Sequence, residues 1–160
     1  MAKRYCVKLE KEDLIFSAAH FITFNGNVCE RLHGHNYRVF AEVYGSLDEN
    51  QYVVDFIALR DALKAITLQL DHHMLLPESH PLIEVKSDEK EVLVTFEQRR
   101  WVFPREDCVI LPVNNTTAEQ LAEWMGGQLL DSLKAQGITN IEKLVMGVDE
   151  NEGQWGIVEM

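Results

Sequence analysis

The hydrophobic period of this chain changes from that of a strand to that of a helix near residue 55, and this change constrains the fold most. Between His35 and Gly45 apolar and polar residues alternate, a pattern typical of a strand with one buried face. Beyond Asp55 the apolar residues recur at helical spacing, so we predict a helix over 56–70 with Asp55 as its N-cap. The stripe consists of Phe56, Leu59, Leu63, Ile66 and Leu70.

The remaining periodicity predicts strands on both sides of this helix and a second helix after it. Residues 3–10 and 13–20 are predicted as two strands around a turn at Lys11 and Glu12, and residues 21–32 as a loop. A second helix opens at Thr116 or Thr117, since either threonine matches a capping box, and it ends at Gly137. Residues 141–150 and 155–159 are predicted as further strands. This order indicates an α+β fold, an antiparallel sheet with two helices on one face.

Composition limits the class of protein and of partner. The 160 residues suit a single domain over 1–160, and the net charge of −11 argues against binding nucleic acid or an anionic membrane. No run of about 20 apolar residues is present, so no membrane span is predicted. The charged start also leaves no room for a secretion signal. Three cysteines, unevenly spaced, favour a reduced cytoplasmic protein with free thiols.

His33 and His35 are separated by one glycine, Gly34, on a predicted strand. Side chains at i and i+2 point to the same face of a strand, so both imidazoles can face one ion. His20, on a separate segment, could supply a third nitrogen. Three neutral imidazoles suit zinc, with the fourth position open for water or substrate.

Cys29 lies four residues before His33 in a polar loop. One interpretation is a reactive thiol whose pKa is lowered by a neighbouring zinc ion and an arginine. An equally open interpretation is a fourth zinc ligand that closes a structural site. Cys6 and Cys108 lie in apolar strand contexts and are interpreted as structural.

Two acidic segments carry further candidates. Asp71-His72-His73 follows the predicted helix, where the helix dipole alone favours histidines, but Asp71 could also orient His72 for proton transfer. Glu150 at a strand end could be a surface acid. It could instead hold a cyclic amidine of a ligand, because a carboxylate accepts two parallel N–H bonds.

In combination these motifs resemble the family of 6-pyruvoyltetrahydropterin synthases and their bacterial relatives, the 6-carboxytetrahydropterin synthases of queuosine biosynthesis. Each motif is weak alone, but together they are specific and appear in family order between positions 16 and 150. They are Phe16-Ser17-Ala18-Ala19-His20, Cys29 to Tyr37, Val54-Asp55-Phe56, Leu70-Asp71-His72-His73, Thr116-Thr117-Ala118-Glu119 and Val148-Asp149-Glu150.

The resemblance implies a tunnelling fold, in which subunits with a four-stranded antiparallel sheet and two helices join into a barrel, commonly a homohexamer made of two trimers. It implies Zn²⁺ on three histidines and a pterin, usually 7,8-dihydroneopterin triphosphate, as the small-molecule substrate. It further implies that Cys29 is the catalytic thiolate, that Asp71 and His72 relay protons, and that Glu150 and Thr117 bind the pterin. The metal ligands would be His20, His33 and His35.

The spacing between Cys29 and His33 resembles the queuosine branch, so we expect a carboxytetrahydropterin synthase that releases triphosphate and acetaldehyde. The pyruvoyl type, or a related enzyme with another pterin substrate, is the alternative. Three features depart from the family. A triphosphate needs cations, which the net charge disfavours, and the candidates to bind it are Arg31, Arg38, Arg99, Arg100 and Arg105. Asn151 replaces the usual threonine after the pterin glutamate, and residues 77–113 are longer than in the compact bacterial enzymes. This insertion is predicted as a hairpin, 91–97 with 101–112, around Gln98-Arg99-Arg100.

Overall fold

The structure, a computed structural model, describes residues 3–160 and contains one large sheet, two small sheets and two helices. In chain order the elements are β1 Tyr5–His20, β2 Thr23–Phe24, β3 Val28–Cys29, β4 His33–Gly45, α1 Phe56–Leu70, β5 His73–Pro77, β6 Glu84–Ser87, β7 Glu91–Phe96, β8 Arg99–Pro104, β9 Cys108–Leu111, α2 Ala118–Ala135, β10 Ile141–Asp149 and β11 Trp155–Glu159.

The large sheet has the strand order β11-β10-β4-β1-β5-β9. Its first four strands pair antiparallel, as predicted, but β5 and β9 extend the sheet to six strands and pair parallel. The predicted four-stranded sheet therefore needs correction, while the α+β class is confirmed. The sequence did not reveal β5 because Met74, Leu75 and Leu76 are all buried. A short, uniformly apolar run carries no strand period.

The first strand is also longer than predicted. β1 runs without a break from Tyr5 to His20, and the predicted turn at Lys11 and Glu12 is wrong. The register against β4 shifts between Glu10 and Ile15 instead, as at a β-bulge. The charged residues in this stretch are exposed on an irregular part of the strand, which explains why they resembled a turn.

Both helices pack on one face of the large sheet and form the main core with it. α1 has the predicted bounds, and the Asp55 carboxylate accepts hydrogen bonds from the N–H groups of Ile57 and Ala58. At the start of α2 the Thr117 hydroxyl accepts from the N–H of Gln120. Apolar side chains of the sheet and the helices meet in this core, among them Phe16, Tyr37, Val39, Leu59, Leu63, Leu121 and Met125.

The insertion covers the opposite face at one edge of the sheet. Strands β6, β7 and β8 form a three-stranded antiparallel sheet, so the predicted hairpin is present. Its second arm is shorter than predicted: β8 ends at Pro104, a 3-10 turn follows, and β9 joins the large sheet. Along β5, Leu75 belongs to the main core, whereas Met74 and Leu76 belong to a second core beneath the insertion.

Neither helix among residues 3–160 has the length and apolar character needed to cross a bilayer.

Candidate functional site

Three histidines and one glutamate converge at the end of the main core. His20 ends β1 and pairs with His33, the first residue of β4, while His35 pairs with Ala18. The three imidazoles share one face of the sheet because they follow the strand alternation. Glu150, directly after β10, completes the group. One ligand atom from each of these four residues lies within 4.8 Å of the others. We call this group the histidine cluster.

Backbone carbonyls fix the orientation of two of these rings. His20 Nδ1 lies 2.8 Å from the carbonyl oxygen of Thr116, and His33 Nδ1 lies 2.8 Å from that of Arg31. A carbonyl only accepts, so each Nδ1 carries the proton and donates it. Each Nε2 then keeps a lone pair for an ion, the arrangement usual for histidine ligands of metals.

The donor set fits a divalent metal. The Nε2 atoms of His20 and His35 are buried and have no hydrogen-bond partner. They lie 3.1 and 3.0 Å from Glu150 Oε1, but not at hydrogen-bonding angles. Burial, together with the neighbouring imidazoles, lowers the pKa of His35, although Glu150 opposes the shift. Three imidazoles around one point suit zinc, and no further protein ligand is required for a catalytic site.

Glu150 lies among these histidines rather than on an open surface. Its contact with His20, and its attraction to the three imidazoles when they are protonated, hold the pKa of Glu150 below its usual value against the effect of burial. The preceding Asp149 is buried and accepts hydrogen bonds from the N–H groups of Asn151, Gly153 and Gln154, which ties down the turn after β10. The carboxylate of Glu150 is thus fixed beside the position of an ion.

Cys29, predicted as base or as fourth zinc ligand, is outside the histidine cluster within residues 3–160. It ends β3 in the loop before β4 and is half-buried. Burial raises the pKa of its thiol, Arg99 opposes this rise, and Glu30 and Glu97 add to it. A neighbouring arginine therefore does lower the pKa of Cys29, as expected, but this arginine comes from the insertion. The effect of burial on the pKa is larger.

Glu30 is a candidate that the sequence analysis missed. Its Oε2 accepts a hydrogen bond from the N–H of Ile22 at 3.1 Å and lies 3.9 Å from His33 Nε2. The carboxylate therefore stands between the thiol-bearing loop and the histidine cluster. Its adjacency to Cys29 in the sequence was the available signal, but only the fold-back onto Ile22 directs the side chain toward the histidines.

Asp71 and His72, the predicted proton-relay pair, lie side by side. Asp71 Oδ2 lies 2.9 Å from His72 Nδ1, and Asp71 Oδ1 accepts from the N–H of Ser17 at 2.8 Å. These bonds, that from Ser17 first, hold the pKa of Asp71 below its usual value. His72 has φ 61° and an 82% exposed side chain.

The Asp71–His72 pair is outside the histidine cluster among residues 3–160, although His72 and His35 border one cavity. This cavity has a volume of about 460 Å³, and its lining also includes Ser17, Ala19 and Asn36. Along the strands Ser17, Ala19 and Asn36 alternate with the core-facing residues, so their side chains lie on the face away from the helices. The ligand atoms that converge among residues 3–160 therefore include none from Cys29, Asp71 or His72.

Thr117 caps α2, with its hydroxyl 3.3 Å from the N–H of Gln120. The adjacent Thr116, which was predicted only as an alternative cap, supplies the carbonyl that orients His20. The start of α2 is therefore part of the support of the histidine cluster.

A family model described as 6-pyruvoyl tetrahydropterin synthase matches residues 8–159. A protein of Methanocaldococcus jannaschii, provisionally named 6-carboxy-5,6,7,8-tetrahydropterin synthase, is 34% identical over 88% of this chain and 86% of its own length. The 6-carboxy-5,6,7,8-tetrahydropterin synthase of Aquifex aeolicus is 31% identical over 74% of this chain and 67% of its own.

A similar solved structure is the 6-pyruvoyltetrahydropterin synthase of Plasmodium vivax in which a glutamate, described as a catalytic residue, is replaced by alanine. It has 26% identity and a TM-score of 0.91, and the match covers 99% of both chains. At this coverage the segment 77–113 is matched as well, so the insertion also occurs in a solved relative. This chain belongs to the 6-pyruvoyl tetrahydropterin synthase family.

Proposed function

We propose that this protein is a zinc-dependent 6-carboxy-5,6,7,8-tetrahydropterin synthase. It would convert 7,8-dihydroneopterin triphosphate, release triphosphate and acetaldehyde, and thereby act as a lyase on carbon–oxygen and carbon–carbon bonds. The observation that carries the proposal is the histidine cluster beside the loop of Cys29. The names of the archaeal and bacterial relatives support the carboxy type.

In this proposal His20, His33 and His35 hold the zinc ion. When bound, the ion supplies Lewis acidity that polarises the side-chain oxygens of the pterin and acidifies the adjacent C–H bond. The orphaned Nε2 atoms of His20 and His35 support this assignment.

The side chains of the protein would then move the protons and hold the ring. Cys29, as thiolate, takes the proton from the substrate side chain, and a bound cation would favour that thiolate against the effect of burial. His72, oriented by Asp71, returns a proton elsewhere on the substrate. Glu150 binds the cyclic amidine of the pterin, and Thr117 lies in the same pocket. A positioned acid or base of this kind contributes about 10²–10⁴-fold to the rate.

The direct test is to incubate the zinc-loaded protein with 7,8-dihydroneopterin triphosphate. We expect triphosphate and acetaldehyde in equal amounts, measured by phosphate chromatography and a coupled alcohol dehydrogenase assay. The C29A variant should keep its zinc and lose turnover. Loss of zinc from C29A would instead make Cys29 a ligand and contradict its role as base.

The assembly is the second part of the proposal. The Asp71–His72 pair is outside the histidine cluster and the His72 side chain is 82% exposed, so the pair is accessible to a second copy of this chain. A homohexamer made of two trimers, as in the tunnelling fold, could bring the pair of one copy to the cluster of its neighbour.

Subunit complementation tests this arrangement. The H35A and H72A variants, each inactive alone, should regain part of the wild-type activity when they are co-expressed and purified as mixed oligomers. If both residues served the same chain's site, no mixed oligomer would contain an intact site. The absence of any recovery in verified mixed oligomers would therefore refute the shared site.

Glu30 supports a second candidate function, the pyruvoyl type or a related reaction on another pterin. The Plasmodium vivax relative is described with a catalytic glutamate, and Glu30 places a carboxylate 3.9 Å from His33 Nε2. A carboxylate base beside the thiol could direct the substrate toward a different product. Triphosphate release without acetaldehyde, retained in C29A but lost in E30Q, would favour this candidate.

The proposed setting is the cytoplasm, where the product would enter queuosine or 7-deazapurine biosynthesis. All three cysteines, Cys6, Cys29 and Cys108, are free, as expected in a reducing compartment.

A further inference from the structure

The insertion reaches across to the loop that carries Cys29 and holds it through Arg99. Arg99, at the start of β8, donates from Nη1 to the carbonyl oxygen of Cys29 at 3.1 Å. It also donates from Nη2 to the carbonyl oxygen of Glu30 at 3.2 Å. Its guanidinium lies 4.7 Å from the ring centre of Trp101. Two parallel donors of one rigid, planar group thus fix two consecutive peptide units.

A second contact joins the insertion to the same loop. His80 Nδ1 accepts hydrogen bonds from the N–H groups of Leu82 and Ile83, so its proton is on Nε2. Nε2 lies 2.8 Å from the hydroxyl oxygen of Thr23, in the strand that pairs with β3. Trp101 also stacks on Phe21, with ring centres 4.5 Å apart. The insertion therefore contacts the loop at both of its ends.

Outside the insertion the loop is held by hydrogen bonds between Ile22 and Glu30 and by one from Asn115 Nδ2 to the Thr23 carbonyl, and otherwise by its own short ladder. Its own ladder consists of two residue pairs, Thr23 with Cys29 and Phe24 with Val28. Both Phe24 and Val28 are exposed, so this hairpin has no apolar core of its own. A two-stranded hairpin without such support is at best marginally stable in water.

We propose that the insertion is an internal clamp on the Cys29 loop, with Arg99 as a positioning residue for the thiol. The clamp consists of His80, Arg99 and Trp101. The effect of the clamp on catalysis rests on the proposed function, in which Cys29 is the base. Its role in holding the Cys29 loop is independent of that function. Nη1 and Nη2 of Arg99 are directed at carbonyl oxygens of the protein, which distinguishes Arg99 from an arginine placed to bind the substrate's phosphates.

The test compares R99M, R99K and R100M. Methionine keeps an apolar stem against Trp101 but removes the guanidinium, and lysine keeps the charge without the fork of two donors. Arg100 is the exposed neighbour of Arg99 on β8 and makes R100M a matched control. Hydrogen exchange of peptides within 21–31, and alkylation of Cys29 by iodoacetamide followed by peptide mass spectrometry, report on the loop without any turnover. Alkylation of Cys6, which is exposed, calibrates the reagent.

Loss of the two charge-assisted hydrogen bonds should accelerate exchange in 21–31 by about tenfold or more in R99M. Exchange in α1 and β10 should not change, and Cys29 alkylation should rise relative to Cys6. R99K should fall between wild type and R99M, and R100M should match wild type. With an active enzyme, R99M should lower kcat by about tenfold or more and change KM little, because the thiol is misplaced while the pterin contacts remain.

Hydrogen exchange and alkylation test the clamp even if the protein does not convert the triphosphate. A failure of the clamp proposal can therefore be told apart from a failure of the proposed function. If R99M matches R100M in both measurements, the clamp is refuted. If R99M does not fold, R99K decides: accelerated exchange confined to 21–31 supports the clamp, and unchanged exchange overturns it. An unchanged kcat in an active R99M with a loosened loop would refute the positioning role.

Discussion

The histidine cluster and the Asp71–His72 pair are both hydrogen-bonded groups at the ends of regular elements, yet they differ in what holds them. His20 is fully buried and its Nδ1 is bound to the Thr116 carbonyl. His72 has an 82% exposed side chain, and its ring is held only by Asp71 among the described residues. The histidine cluster is assembled within a single chain. The Asp71–His72 pair is held by its own chain at Asp71, but the His72 side chain remains exposed.

This difference indicates which contacts position the side chains of each group. Strand pairing and the main core position the three imidazoles of the histidine cluster, so folding of one chain is enough to bring their nitrogens together. The imidazole of His72 lies against Asp71 through Nδ1, and its exposed side chain borders a cavity. Substitutions in the histidine cluster and in the Asp71–His72 pair should therefore differ in their effects on metal binding, turnover and stability.

The largest effect should come from H35A. Loss of a residue that only orients a metal ligand lowers metal affinity by about 10–100-fold. Removing one of the three imidazoles proposed to bind zinc should lower zinc affinity by more than this. Turnover should fall below detection. Zinc content by mass spectrometry and competition with a chromophoric chelator measure the effect. H72A is the matched control, since its imidazole is outside the cluster, and it should retain full zinc. Equal zinc in H35A and wild type would disprove the cluster as a metal site.

The next effect should come from H72A itself. We expect kcat to fall by about 10²–10⁴-fold, the usual contribution of a positioned acid or base. The free energy of unfolding should change by less than about 0.5 kcal/mol, because an exposed side chain contributes little. Steady-state kinetics and urea denaturation measure the two quantities. D71N should show a similar loss of kcat through misorientation of the ring. A large loss of stability in H72A would mean that the pair is structural.

E150Q should separate the two roles open to Glu150. As a holder of the pterin ring, the carboxylate contributes hydrogen bonds of a charged group, worth about 1.5–3 kcal/mol, so KM should rise by about 10–100-fold. Zinc affinity should stay near that of wild type. Kinetics with chelator competition on the same preparation measure both. The opposite pattern, weak zinc binding with an unchanged KM, would make Glu150 a metal ligand.

The same contrast explains which features were visible in the sequence. α1 was predicted to the residue because its stripe and the Asp55 cap are both local. His33 and His35 were visible because strand alternation alone puts them on one face. Glu30 and Arg99 were not, since the role of each depends on a contact made by folding: Glu30 with Ile22, and Arg99 with a loop about 70 positions away. Periodicity reports on local order and burial, but not on such long-range polar contacts.

The smallest effect should come from T117A, at the start of α2 beside the support of His20. Loss of an N-cap threonine costs about 0.5–2 kcal/mol of stability, so T117A should denature at a lower urea concentration. If Thr117 also lies in the pterin pocket, as proposed, KM should rise by about fivefold, the value of one neutral hydrogen bond. T117S keeps the hydroxyl and should restore both quantities. A loss of stability in T117A with no change in KM would reduce Thr117 to a helix cap, and the proposed pterin pocket would then lose this contact and rest on Glu150.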